Sequence, residues 1–241
     1  MKRYASYALC LPLTAALLAA CGGGTVITDP IVPVAVPITT VNGKVDRWTG
    51  SASTVELLAQ PFGIKSATNP ALASATLNAN GTFALTLPSL ATITPYLSVA
   101  ANPTSLLAEN GASCTGALTN SDPSSQAYIF GGLNSENRFL LSSQNVITNK
   151  TSTEATVSTN AKLWIYVTKP TTLGGSATCN STDSLSGFTF VSNISANAPL
   201  VQGWNILALT STTVSLLDKK SATSTDNFTA ISDGPSTWYL Q

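Results

Sequence analysis

Beyond residue 40, apolar residues alternate with small or polar ones in short runs separated by turn residues, a period of two that predicts strands. Val41, Gly43 and Val45 fall on one face of a first strand, and Val55 with Leu57, then Ala75 with Leu77, repeat the pattern. Asn80-Gly81, a strong signal for a tight hairpin, precedes Phe83, Leu85 and Leu87. Tyr96, Leu97 and Val99 suit a closing strand, so residues 41–103 read as a small antiparallel sandwich. After Asn102-Pro103 and Asn110-Gly111, a second β-rich unit is expected over 104–241, with strands at 128–130, 138–141, 162–168, 205–209 and 213–217. Helix signals are almost absent and no internal repeat is visible. The predicted fold class is all-β, with two small antiparallel β-sandwich-like units.

Two landmarks stand out in the second unit. Leu163-Trp164-Ile165-Tyr166-Val167 is apolar on both faces and rich in β-formers, which predicts a central strand. Gly203-Trp204-Asn205, between Val201 and Ile206, reads as a turn leading into an apolar strand, a short pattern similar to one in bacterial envelope lipoproteins. In the first unit, Val41-x-Gly43-x-Val45 followed by Asn80-Gly81-x-Phe83-x-Leu85 resembles carboxypeptidase-regulatory or transthyretin-like β-sandwich modules. That resemblance implies a fold over about 60 residues and no chemistry, and the stretch 61–70 is longer and more irregular than such a module needs.

The pattern differs before residue 41. Lys2 and Arg3 give a positive start, and residues 4–20 are apolar or small, interrupted by Pro12. The run is too short for a membrane span of about 20 apolar residues and reads as an export signal. It ends Leu18-Ala19-Ala20-Cys21, which resembles the lipobox of bacterial lipoproteins. The resemblance implies cleavage after residue 20, a diacylglyceryl group on the Cys21 thiol and acylation of the new amine. Two or more acyl chains hold a protein stably on a membrane, each buried CH₂ contributing about 0.8 kcal/mol. Gly22 stands where an Asp would signal retention at the inner membrane, so the resemblance favours the outer membrane. Residues 21–40 carry three glycines, then Pro30, Pro33 and Pro37 among β-branched residues, and are read as an extended tether. Fully extended, it reaches roughly 60 Å at about 3.1 Å per residue. The alternative is that Val32, Val34 and Val36 form an edge strand.

Composition narrows the partners. Charged residues make up 9% of the chain and the net charge is zero, against roughly 25% charged residues in an average soluble protein. Ser and Thr supply about a quarter of the residues, so solubility rests on hydroxyls and amides. With no basic field to attract phosphates, nucleic acid is not an expected partner. Of the 4 cysteines, Cys10 is lost with the signal and Cys21 is lipidated. Cys114 and Cys179 are left to form one disulfide in an oxidising compartment, or to remain as two separate thiols.

The chain contains no histidine. Ser-His-Asp and Cys-His catalysis are therefore excluded, as are imidazole-built zinc, copper or haem sites, and two cysteines are too few for a Cys₄ site. No G-x-S-x-G elbow, S-x-x-K motif, P-loop or G-x-G-x-x-G fingerprint is present. No catalytic residue, metal site or cofactor is assigned. Glu56, Glu109, Glu136 and Glu154 could act only as a glycosidase-type pair, and Glu136 beside Asn137 and Arg138 reads as a solvated turn. Asp218, Asp226 and Asp233 lack calcium-loop spacing and read as surface charges. Trp48 and Trp204 are the aromatics with a ligand-contact reading. Against it, Trp204 suits a core plug and Trp48 suits packing near a strand end.

The functional expectation is a membrane-anchored envelope lipoprotein acting as a structural, adaptor or binding component that contacts an envelope protein or glycan. The alternatives are a carrier for a sugar or apolar ligand in a tryptophan-lined pocket, and a carboxylate-dependent glycan hydrolase. Oligomeric state is not legible.

Overall fold

The computed structural model describes residues 37–60, 65–99, 112–136, 138–183, 186–232, 234 and 236–240. The fold is all-β. A seven-stranded sheet is built from β1 (Thr40–Val45), β2 (Ser53–Leu58), β3 (Ala71–Leu77), β4 (Thr82–Thr86), β8 (Gly132–Ser135), β9 (Arg138–Leu141) and β16 (Ser236–Leu240). Its order is β3-β2-β8-β9-β16-β1-β4. The second sheet contains β5 (Ser98–Val99), β6 (Ser113–Asn120), β7 (Gln126–Phe130), β10 (Ser143–Lys150), β11 (Glu154–Val167), β12 (Thr171–Thr182), β13 (Thr189–Leu200), β14 (Gly203–Leu216) and β15 (Ser221–Ile231). Its order is β5-β7-β11-β14-β15-β13-β12-β6, with β10 on the remaining edge of β11. One helical turn, α1 (Leu90–Ile93), leads into a 3₁₀ turn over Thr94–Tyr96.

The expected boundary near residue 103 does not separate two sandwiches. Glu56 of β2 pairs with Asn134 of β8, β1 runs parallel to β16, and β5 pairs with β7. All described strands belong to one unit, Ala35–Gln241. The reason is burial: Val41, Val55, Leu57, Leu85, Phe130, Trp164, Trp204 and Trp238 form one apolar cluster contributed by both sheets, so residues before 103 share their core with residues beyond it.

Asn80-Gly81 does form a tight turn, in which Asn78 N donates to Thr82 O at 2.9 Å and Gly81 N to Asn78 O at 2.8 Å. The strands it joins are not ladder partners. β3 pairs with β2 and β4 with β1, at opposite ends of the order, and the turn brings those ends together by curling the sheet. Gly43 makes room for the rings beneath it: a Cβ there would lie 2.3 Å from Phe83 Cζ and 2.7 Å from Trp238 Nε1.

β11 is central, as its double-sided apolar run predicts. Trp164 and Tyr166 enter the core shared with the first sheet. Ile165 and Val167 enter a second core with Leu207, Leu173, Ile194 and Leu118, where the larger sheet curls on itself. The connections near 121–126 and 168–172 fasten that curl, with Ser121 N donating to Thr172 O at 3.0 Å and Thr168 N to Gln126 O at 2.9 Å. The expected strands at 205–209 and 213–217 are a single strand, β14. β6, β10, β12, β13 and β15 are also present, although their Ser, Thr and Asn content gives weak apolar alternation.

Candidate functional site

Cys21, with the expected signal and the expected tether as far as residue 36, lies outside the described residues. Cys114 and Cys179 form a disulfide. They are directly opposed across the β6–β12 ladder, with a Cα–Cα distance of 4.0 Å, so register itself brings the thiols together.

The four tryptophans are packed into the protein. Trp204 is buried, donates from Nε1 to Pro88 O at 3.0 Å, and meets Tyr128, Phe130 and Tyr166 edge-on. It is a core plug entered by the expected turn. Gly203 adopts φ +104°, and the Asn205 side chain accepts from Val201 N and donates to Val201 O. Trp48 is half-buried. Its ring lies on Gly50, where a Cβ would come within 2.6 Å, and the Arg138 guanidinium carbon sits 5.7 Å from the ring centroid. Trp164 and Trp238 stack at 5.1 Å in the middle of the shared core. Their indole N–H groups have no hydrogen-bond partner among the described residues. An unmet buried donor costs about 1–3 kcal/mol. Burying roughly 150–250 Å² of ring area at about 25 cal/mol per Å² offsets that with about 4–6 kcal/mol.

The ionisable groups are dispersed. Glu56 pairs with Lys65 and Glu136 with Arg138. Asp226 is not a loop charge: it lies within β15 and accepts hydrogen bonds from Ser192 and Ser224 hydroxyls at 2.6 and 2.8 Å. Asp218 occupies the β14–β15 turn, and Glu109 and Asp233 lie outside the described residues. Among the described residues, no three of Asp, Glu, Cys or His gather as a metal site. Among the described residues, two groups have shifted ionisation. Hydrogen bonds from the Ser124 hydroxyl and N–H hold the Asp122 carboxyl below its ordinary value. Burial pushes the Tyr128 phenol well above its own, while its hydroxyl donates to Leu58 O at 2.9 Å.

Two features can engage other molecules. The first is the edge of β10 away from β11, which no other described strand pairs and where Val146 is 43% and Ile147 61% exposed. Edge strands present unpaired backbone donors and acceptors to any extended partner. The second is a cleft of about 330 Å³ where β10, β11, β14 and β15 meet β16. It arises because β11 continues past the shared core: Trp164 is buried, and two and four residues back along that face Lys162 and Asn160 emerge at the cleft. In register, Gln144, Asn160 and Thr210 form one row across three strands. Lys162 Nζ donates to Gly234 O at 3.3 Å, and Ser142 Oγ to the Lys162 and Gly131 carbonyls.

Sequence reasoning missed the cleft residues because they are ordinary Ser, Thr, Asn and Gln side chains on polar strands; only strand register collects them. No tryptophan and no carboxylate lines this cleft among the described residues. No family model, curated protein or solved structure matches the chain.

Proposed function

We propose that the mature chain is a lipid-anchored protein of the cell envelope, held at the outer membrane through Cys21, that acts by binding or scaffolding. The export signal and the Leu18-Ala19-Ala20-Cys21 lipobox support the anchor. The observation that carries the binding role is the long, open β10 edge. It has apolar side chains exposed at Val146 and Ile147, and its single charged residue, Lys150, lies at its end. Strand addition along such an edge supplies main-chain hydrogen bonds, while pockets for alternate side chains supply specificity.

The test places a photo-crosslinking amino acid at Ile147 in the full-length protein within intact envelopes. Capture of a single envelope protein in near-stoichiometric amount, lost when the probe is moved to buried Leu133, is the expected result. Capture of nothing beyond abundant neighbours contradicts the adaptor reading.

A further inference from the structure

We infer that the strand added to the β10 edge is β10 of a second copy of this chain, paired antiparallel about a two-fold axis at Ile147. The inference rests on the strand-addition reading above and names the strand that is added. Edges are ordinarily protected by charge, by proline or by a covering segment. From Ser143 to Asn149 β10 has no charged residue and no proline, and every residue of the strand after Ser143 is exposed. No described strand other than β11 pairs with it. β6, another edge of the larger sheet, is built differently: Gly116 interrupts its middle at φ +77°, and Leu118, its one large apolar residue, is buried.

Symmetry decides which residues face each other. Two identical antiparallel strands in one sheet are related by an axis normal to the sheet, so the residue on the axis faces its own copy and residues equally far to either side face one another. With Ile147 on the axis, Val146 faces Thr148, Asn145 faces Asn149 and Gln144 faces Lys150 of the second copy. Ile147 is the most exposed large apolar side chain among the described residues, and its ladder neighbour is Val157. The joined sheet therefore carries an unbroken row of four β-branched side chains, Val157 and Ile147 from each copy, and cross-strand pairs of this kind stabilise a sheet. The only charge on the strand stays clear of its mate: the two Lys150 positions are six residues out of register, roughly 20 Å at about 3.4 Å per residue, beyond the screening length of about 8 Å. The bulge between Ile147 and Asn149 adds local right-handed twist, and the axis places one such bulge on each side, so both strands twist alike. Lipid anchors on both copies, as proposed above, hold them in one layer and raise the concentration at which the two edges meet.

The test places two differently tagged full-length copies in intact envelopes, both carrying Ile147→Cys or both carrying Asn145→Cys, under mild oxidation. Facing Cα atoms lie about 4.5–5.5 Å apart, within reach of a disulfide, whereas the two Asn145 positions are four residues out of register, roughly 14 Å, and lie beyond it. Ile147→Cys should link the two tags in a species of twice the mass, and Asn145→Cys should link none. Ile147→Lys sets two ammonium groups face to face and should reduce capture between tags by a photo-probe at Gln144 at least about tenfold, with the unfolding temperature unchanged. No link through Ile147→Cys, equal linking at both positions, or capture undiminished by Ile147→Lys overturns the second-copy assignment. A photo-probe at Ile147 separates this from the broader reading: capture of a different protein overturns the second copy and leaves strand addition standing, and capture of no protein overturns both.

Discussion

Replacing Trp238 with alanine is expected to lower stability by about 3–5 kcal/mol, the range for emptying a buried aromatic site. Trp238 is fully buried on β16, stacks on Trp164 at 5.1 Å and meets Phe83 edge-on at 5.8 Å. It also sits where the two sheets share one core, and Gly43 has no side chain because this ring and Phe83 occupy the space. The cavity left by Trp238→Ala opens between rings from both sheets, which cannot collapse without moving two ladders. For a unit of this size, each 1 kcal/mol shifts the melting temperature by about 2–4 °C. Thermal unfolding should therefore show a drop of roughly 6–20 °C, with one cooperative transition retained. Trp238→Phe should keep most of the packing and remove the unmet indole N–H. A loss below about 1 kcal/mol for Trp238→Ala would contradict a core shared by the two sheets.

The second large effect belongs to the disulfide. The Cys114→Ala, Cys179→Ala double variant is expected to lose about 4 kcal/mol, from the chain-entropy cost of an open loop spanning 65 residues. The loss has a location as well. Among the described strands β6 pairs only with β12, its residues are largely exposed, and the cross-link stands one residue from the start of the strand. Hydrogen exchange should accelerate first along Ser113–Asn120, while protection along Glu154–Val167 persists. Uniform acceleration of both strands would show that the cross-link holds the whole sheet and not its edge.

The parts of this fold that were legible in the sequence are those where apolar residues do the specifying. Val41 and Val45, Val55 and Leu57, Phe83 and Leu85 alternate as expected, and all are buried. The 163–167 run announced a strand with both faces covered because its alternate residues feed two cores. The division at residue 103 failed for a physical reason: local alternation reports which face is buried, not against what. β2 pairs with β3 of its own segment on one edge and with β8 on the other, and local alternation carries no sign of that second partner. Likewise Asn80-Gly81 encodes a turn over four residues, and the partners of β3 and β4 are chosen by sheet closure beyond its reach.

Polar strands were the least legible. β12 and β15 alternate Ser, Thr, Ala and Gly, whose buried and exposed members look alike in sequence. The disulfide followed from counting cysteines after the signal was set aside, whereas the cleft could not be anticipated. Gln144, Asn160 and Thr210 are separated by 16 and 50 residues, and their row exists only in the register of three strands. Trp48 and Trp204 drew attention as aromatics but are held by the protein's own packing.

The lipid anchor carries the central claim, and intact mass analysis of the N-terminal peptide from the mature protein tests it most directly. The expected result is a peptide that begins at Cys21 and carries the mass of a diacylglyceryl group with a further acyl chain on its amine. A mature N-terminus at any other residue, or a Cys21 bearing no lipid, would contradict the account.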